Sequence, residues 1–328
     1  MEIVDCQVNY GKSLFGPNCK IEIYSKAAKK MGITRALIIP TLTHEIKIDS
    51  LVEKSCIWEE TEKGLLYKKE IIEKKTGKVI TRKNPKNPYQ NMNNFVLNKI
   101  RELNKNLDIK YYFIPKIHPL LDTEKELERL IEEPETVALK IHGLATHTTP
   151  NQVPGWIVKL ANSYSKPLFV HTDYLNKNFK DNRTQESLKK IIYKNTPKDW
   201  LTWAELTKPH KLYLAHLVRM DMESIDKINK SKNIVVGTGP DIMLEQEPWR
   251  LKQQPTENIL YKALISINSK KLVFSTDFAW NVFKRGNWTQ FDWGSIERIV
   301  EQAKKIGLPK EELSDILSNN AIEFFSLD

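Results

Sequence analysis

Three side chains of the kinds that move protons or hold metals, His171, His216 and Asp277, close apolar, β-branched runs in PLFVHTD, KLYLAHLV and LVFSTDFAW. Imidazole exchanges a proton near neutrality, and a carboxylate accepts a proton from water or anchors a cation. If the three runs are neighbouring strands, the three groups emerge at one end of a sheet. There they suit general acid–base catalysis or divalent-metal binding. A lone histidine after a strand is usually incidental; three titratable groups at the ends of three strands point to a shared site.

Lys140 and His142 in ALKIHG lie two apart, on one face of a strand. Burying both is costly without partners. They read either as substrate-binding groups or as structural ones, Lys140 then bonding a carboxylate of a neighbouring strand such as Asp5. The stretch FAWNVFKRGNWTQFDW supplies Trp280 as an apolar wall and Arg285 as a bidentate carboxylate partner. The alternative is that these aromatics close the fold or seal a dimer interface.

The elements that must position these groups follow from the hydrophobic pattern. Short β-branched or aromatic runs alternate with segments of helical period, as in repeated βα units. The expected strands are 2–8, 35–42, 110–117, 136–143, 167–173, 211–218, 233–239 and 271–279, with helices in KIEIYSKAAKKMG, MNNFVLNKIRELNK, TEKELERLIEE and SIERIVEQAKKIG. Eight such units close most naturally into a (β/α)8 barrel, an α/β TIM-barrel fold over residues 1–328 as one domain, with active groups at the carboxyl ends of the strands. Residues 43–92 interrupt the rhythm after strand two. A T-G turn there predicts a hairpin-containing insertion, either a lid over the barrel mouth or a surface ornament or oligomer contact.

Composition narrows the class. Hydrophobic residues at 40% and charged ones at 28% fit a soluble globular protein. The start, MEIVDCQVNYG, lacks the basic-then-apolar pattern of a secretory leader, and there is no long apolar run, so the expectation is a cytoplasmic protein that does not engage a membrane. Cys6, Cys19 and Cys56 are too few and too irregular for a disulfide framework and are read as free thiols. The net charge of +10 is spread among glutamates without a recognition motif. It argues against a nucleic-acid partner and for a small-molecule substrate, of anionic kind if the charge is used. A homo-oligomer is compatible with all of this.

VDCQVNYG, ALKIHG, PLFVHTD, LYLAHL, LVFSTDFAW and the ending LPKEELSDILSNNAIEFF together resemble the amidohydrolase-related branch of the amidohydrolase superfamily, which includes aminocarboxymuconate semialdehyde decarboxylase and pyrone dicarboxylate lactonase. The resemblance runs end to end apart from 43–92. In that branch the fifth- and sixth-strand histidines, the eighth-strand aspartate and a closing N-A-x-x-L-F motif recur; Asn320, Ala321, Phe324 and Phe325 match the last. The branch opens with D-x-H-x-H, whose histidines bind a divalent metal, and here those positions are Gln7 and Asn9. Amide oxygens are poor zinc ligands, so no tightly bound cofactor is expected.

The resemblance then implies a hydrolase of amidohydrolase or lactonase type acting on a small lactone, amide or carboxylated substrate. Asp277 would be general base, with His171, His216 or Lys140 polarising the carbonyl and Gln7, Asn9, Lys140, His142, Trp280 and Arg285 binding substrate. Two alternatives stand beside it. One is a metal-dependent enzyme, a decarboxylase among them, with zinc on His171, His216 and Asp277. The other is a barrel without catalysis that serves as a binding or scaffold protein.

Overall fold

The structure, a computed structural model, describes residues 2–12, 18–41, 44–61, 64–83, 86–105, 108–172, 194–239, 259–278 and 294–328. Its frame is a succession of parallel strands: β1 (Val4–Lys12), β3 (Arg35–Pro40), β8 (Lys110–Phe113), β9 (Lys116–Ile117), β10 (Leu139–Ile141), β11 (Leu168–Val170), β12 (Leu212–Leu214), β13 (Ile234–Gly237) and β14 (Leu272–Val273). A two-residue strand, β2 (Asn18–Cys19), pairs antiparallel with the end of β1. Two sheets result, β2-β1-β3-β8 and β14-β13-β12-β11-β10-β9. Their edges meet at two seams through the parallel bridges Val8↔Phe278 and Phe113↔Thr136. The third expected strand, 110–117, is one run broken into β8 and β9 at Ile114 and Pro115, because proline has no N–H for the ladder.

Period-two alternation sorts the strand side chains into two cores. Leu37, Ile39, Ala138, Phe169, Tyr213, Val235 and Val273 point into one cluster, while Ala36, Ile38, Leu139, Ile141, Leu168, Val170, Leu212 and Leu214 point into another. The second cluster receives the apolar faces of the helices α1 (Ile21–Lys30), α2 (Gln90–Leu103) and α3 (Glu124–Ile131), which contribute Tyr24, Val96 and Leu127. The first is plugged at the amino ends of the strands by the closing sequence motif. Ala321, Phe324 and Phe325 of a terminal helix, Asn320–Phe325, pack into it. Asn320 Nδ2 donates to Leu272 O and Ser269 O, both at 2.7 Å, tying that helix to the start of β14.

Residues after β3 form a separate four-stranded antiparallel sheet in simple meander order: β4 (His44–Ile48), β5 (Leu51–Thr61), β6 (Gly64–Glu73) and β7 (Val79–Lys83). The expected T-G turn joins the last two, with Gly77 at φ +70, a conformation glycine adopts without Cβ strain. Ile46 is buried against the main core, and Glu53, also buried, pairs with Lys69 at 2.7 Å and accepts from Asn91 of α2 at 2.5 Å, fastening this sheet to the frame. Among the described residues no helix is long and apolar enough to cross a membrane.

Candidate functional site

The site lies at the carboxyl ends of β1, β10, β11, β12 and β14. Phe169 faces the inner core, so period two brings His171 inward as well. In the same way Val273 leads to Ser275 and Asp277. His216 is different. Tyr213 and Ala215 face inward, so an extended chain would send His216 outward. Instead the backbone turns left-handed at His216 (φ +65) and remains so through Leu217, Val218, Arg219 and Met220. Non-glycine residues occupy that region at a cost of about 1–2 kcal/mol each. The turn brings His216 to His171 and brings Arg219 alongside, its Nε donating to Thr172 O at 3.2 Å. On β1, a register irregularity between Asp5 and Val8 changes the phase. Cys6 faces the inner core, and Gln7 and Asn9 reach Asp277.

Asp277 is the centre of one half of the site. Its Oδ1 accepts from Gln7 Nε2 and, at 2.9 Å, from Asn9 Nδ2, which also donates to Phe278 O at 2.8 Å. Neither amide donor uses Oδ2. Burial raises the carboxyl pKa to about 6, against the opposing pull of Lys140, the two amides and Arg219. Asp277 itself is left-handed at φ +52, a second strained position in the site.

The other half is a histidine pair. His216 Nδ1 lies 2.8 Å from Gly239 O, and His216 Nε2 lies 2.8 Å from His171 Nδ1. A carbonyl only accepts, so His216 carries its proton on Nδ1 and accepts at Nε2 from His171 Nδ1–H. The acceptor nitrogen of the chain is then His171 Nε2. Burial holds both rings well below the usual histidine pKa, with Lys140, Arg219 and Lys116 adding to the effect on His171 and Arg219 and Lys140 on His216, so the pair is neutral at neutral pH. His142 stacks on His171, centroids 3.8 Å apart at 14°, while its Nδ1 accepts from Ala145 N at 3.3 Å and caps the short helix Gly143–Thr146.

Lys140 is buried with its Nζ 3.8 Å from the Phe169 ring centroid. The alternative of a bond to Asp5 is corrected by the structure, since Asp5 serves other donors: Tyr24 OH (2.9 Å), Thr276 Oγ1 (2.6 Å), Thr276 N (2.9 Å) and Gln7 N (3.3 Å). Those bonds fix β1 against the residues that lead to Asp277. Trp280 and Arg285 lie outside the described residues. Two cations that sequence reading missed, Arg219 and Lys116, act electrostatically on His171, Arg219 also on Asp277. Their signals were present: HLVRM places Arg219 three residues after His216, and Lys116 lies next to last in the third run, a lysine within a strand as Lys140 is in the fourth.

A divalent metal on His171, His216 and Asp277 does not fit this donor set. The two nitrogens facing each other are joined by their own hydrogen bond, and Asp277 Oδ1 is taken by amide N–H donors rather than flanked by imidazoles. Among the described residues no group of His, Cys, Asp or Glu is arranged to hold a metal ion.

No family model matches the chain, and no curated protein matches it in sequence. Solved structures do. A 2,6-dihydroxybenzoate decarboxylase from Rhizobium matches with a TM-score of 0.56 at 12% identity, covering 100% of this chain and 99% of its own. The 5-carboxyvanillate decarboxylase LigW from Sphingomonas paucimobilis gives 0.55 at 10%, covering 100% and 99%. A D-hydantoinase from a Bacillus sp. gives 0.54 at 15%, covering 98% and 70%. Identities this low establish fold and nothing finer. The fold that carries Gln7, Asn9, Lys140, His171, His216 and Asp277 is the one seen in these decarboxylase and hydantoinase structures.

Proposed function

We propose that the chain is a hydrolase of the amidohydrolase type that opens a small carboxylated lactone or amide, with Asp277 as the single acid–base group. The observation that carries this reading is the clamp on Asp277: one oxygen held by Gln7 and Asn9, the other unused by those donors, in a buried setting that lifts its pKa to about 6. A carboxylate so poised is ionised at neutral pH yet basic enough to take a proton from water. It would pass that proton to the leaving oxygen or nitrogen as the tetrahedral intermediate collapses.

Negative charge developing on the substrate carbonyl falls to Lys140 and Arg219 to stabilise. His171 cannot donate to it, because its one proton is committed to His216. The role expected of the histidines thus shifts from polarising the carbonyl to shaping a neutral wall beside the reacting centre. The buried cations Lys140 and Lys116, which together with Arg219 act electrostatically on His171, favour a substrate bearing a carboxylate, as do the decarboxylase neighbours.

Those neighbours support a second reading, decarboxylation, in which Asp277 as an acid would protonate the carbon that loses CO2. The two readings differ in the sign of their pH dependence. Hydrolysis needs the ionised carboxylate, so kcat/KM should rise with pH through about 6; protonation of carbon needs the acid form, so the rate should fall over the same interval. The test is a panel of lactones, cyclic amides and aromatic carboxylates, each with and without a second carboxylate, followed by ring opening and by CO2 release from pH 5 to 8. Asp277→Asn should lower turnover about a hundredfold or more. A near-native rate in that variant would remove Asp277 from the mechanism.

A further inference from the structure

The two strand-one amides do not end alike. Asn9 spends its Nδ2 on both Asp277 Oδ1 and Phe278 O. Gln7 donates through Nε2 to the same Oδ1, and among the described residues its buried Oε1 has no hydrogen-bond partner. Buried polar atoms are normally satisfied by protein or by an ordered water, so an orphan of this kind calls for an occupant. Oε1 belongs to the same planar amide as the nitrogen that grips Asp277, so it is held rigidly beside that carboxylate. Both amide bonds to Asp277 fall on Oδ1, so Oδ2 is the carboxylate oxygen left for chemistry. The result is a pair of acceptors, Gln7 Oε1 and Asp277 Oδ2, each two covalent bonds from the atoms of the hydrogen bond that joins the two side chains.

What fits between two acceptors is a small molecule with two donor hydrogens. We infer that Gln7 Oε1 and Asp277 Oδ2 seat one water molecule, and that Gln7 is a positioning residue which orients this water as the nucleophile.

This rests on the hydrolytic reading above and deepens it. One hydrogen of the water points at Asp277 Oδ2, the other at Gln7 Oε1, and the oxygen lone pair is left directed away from both, toward the substrate carbonyl. Attack forms the C–O bond as the carbonyl π pair moves onto its oxygen, and the water proton goes to Oδ2. Collapse breaks the ring C–O or C–N bond, and the same proton passes from Oδ2 to the leaving atom. The products are the ring-opened hydroxy acid or amino acid, and Asp277 is again ionised. Replacing the metal-binding histidines of strand one by amides would thus exchange a metal-held water for one held by hydrogen bonds alone.

High-resolution crystal structures of the wild-type chain, Gln7→Met and Gln7→Glu test the seat directly. The wild type should show one ordered water about 2.6–3.2 Å from both Gln7 Oε1 and Asp277 Oδ2. Gln7→Met should lose it with Asp277 unmoved, whereas Gln7→Glu, which in its protonated form donates to Asp277 Oδ1 and keeps an acceptor oxygen in place of Oε1, should retain it. With a hydrolysed lactone from the panel, Gln7→Met should lower kcat about a hundredfold with KM within about twofold, and Gln7→Glu should recover part of kcat. No water at Oε1 in the wild type, or an unchanged water in Gln7→Met, overturns the inference while leaving Asp277 as base intact. Loss of rate in Asp277→Asn without any water at Gln7 would separate the two outcomes.

Discussion

Asp277→Asn should make the protein more stable at pH 8 while it disables the site, and the size of the gain follows from the geometry. The carboxyl pKa rises from 3.8 to about 6 on folding. At about 1.36 kcal/mol per pKa unit, the folded protein gives up on the order of 3 kcal/mol to keep this group ionised. Between these two values the folded state still holds a proton that the unfolded state has lost. Stability from this group therefore falls as pH rises through about 4 to 6, and the full cost is present above 6. Asparagine avoids that cost and retains Oδ1 for the Gln7 and Asn9 donors. The variant-minus-wild-type difference should thus be small near pH 4 and grow to about 3 kcal/mol by pH 7–8, equivalent to several degrees in Tm for a chain of this length. Asp5, also raised to about 6, and the depressed His171 and His216 are common to both proteins and drop out of the difference. Urea unfolding of both proteins from pH 4.5 to 8 measures it. A difference that is flat with pH, or that favours the wild type more as pH rises, would refute the claim that Asp277 sits ionised at an energetic cost.

Gln7→His with Asn9→His should rebuild a metal site of imidazoles around Asp277. The double variant should bind near-stoichiometric zinc, and zinc at a hundred times its Kd should stabilise it by about 2.7 kcal/mol, with little change in the wild type; a full equivalent of zinc in the dialysed wild type would show that the amides are competent ligands after all. Gly237→Ala tests the packing behind the site: a Cβ there would lie 1.6 Å from Tyr213 OH, which in turn bonds Ser275, so the variant should lose about 1–3 kcal/mol by overpacking, and native-like unfolding would show that Tyr213 can move aside.

Much of this molecule is legible in the chain because period-two and period-3.6 patterns act locally. The runs ending in His171, His216 and Asp277 are apolar and β-branched for reasons each strand carries within itself, and their order along the chain suffices to suggest parallel neighbours with polar ends on one side. The closing motif is legible in the same way, and the structure supplies its reason: Asn320 satisfies two carbonyls and Phe324 and Phe325 plug the inner core.

The polarity of the site belongs to tertiary structure alone. Which oxygen of Asp277 is taken and which is left depends on a phase change in β1 that no residue type announces. The neutral His171–His216 pair depends on a left-handed turn through Leu217 and Val218, residues whose local preference is against it. The placement of Lys140 over Phe169, rather than against Asp5, follows from which side chains face inward in adjacent strands. Sequence by itself determined the identity of the groups and the end of the sheet at which they emerge, because both follow from alternation along single strands. Only the packed fold decided their protonation and their partners, because burial and proximity between strands far apart in sequence set both.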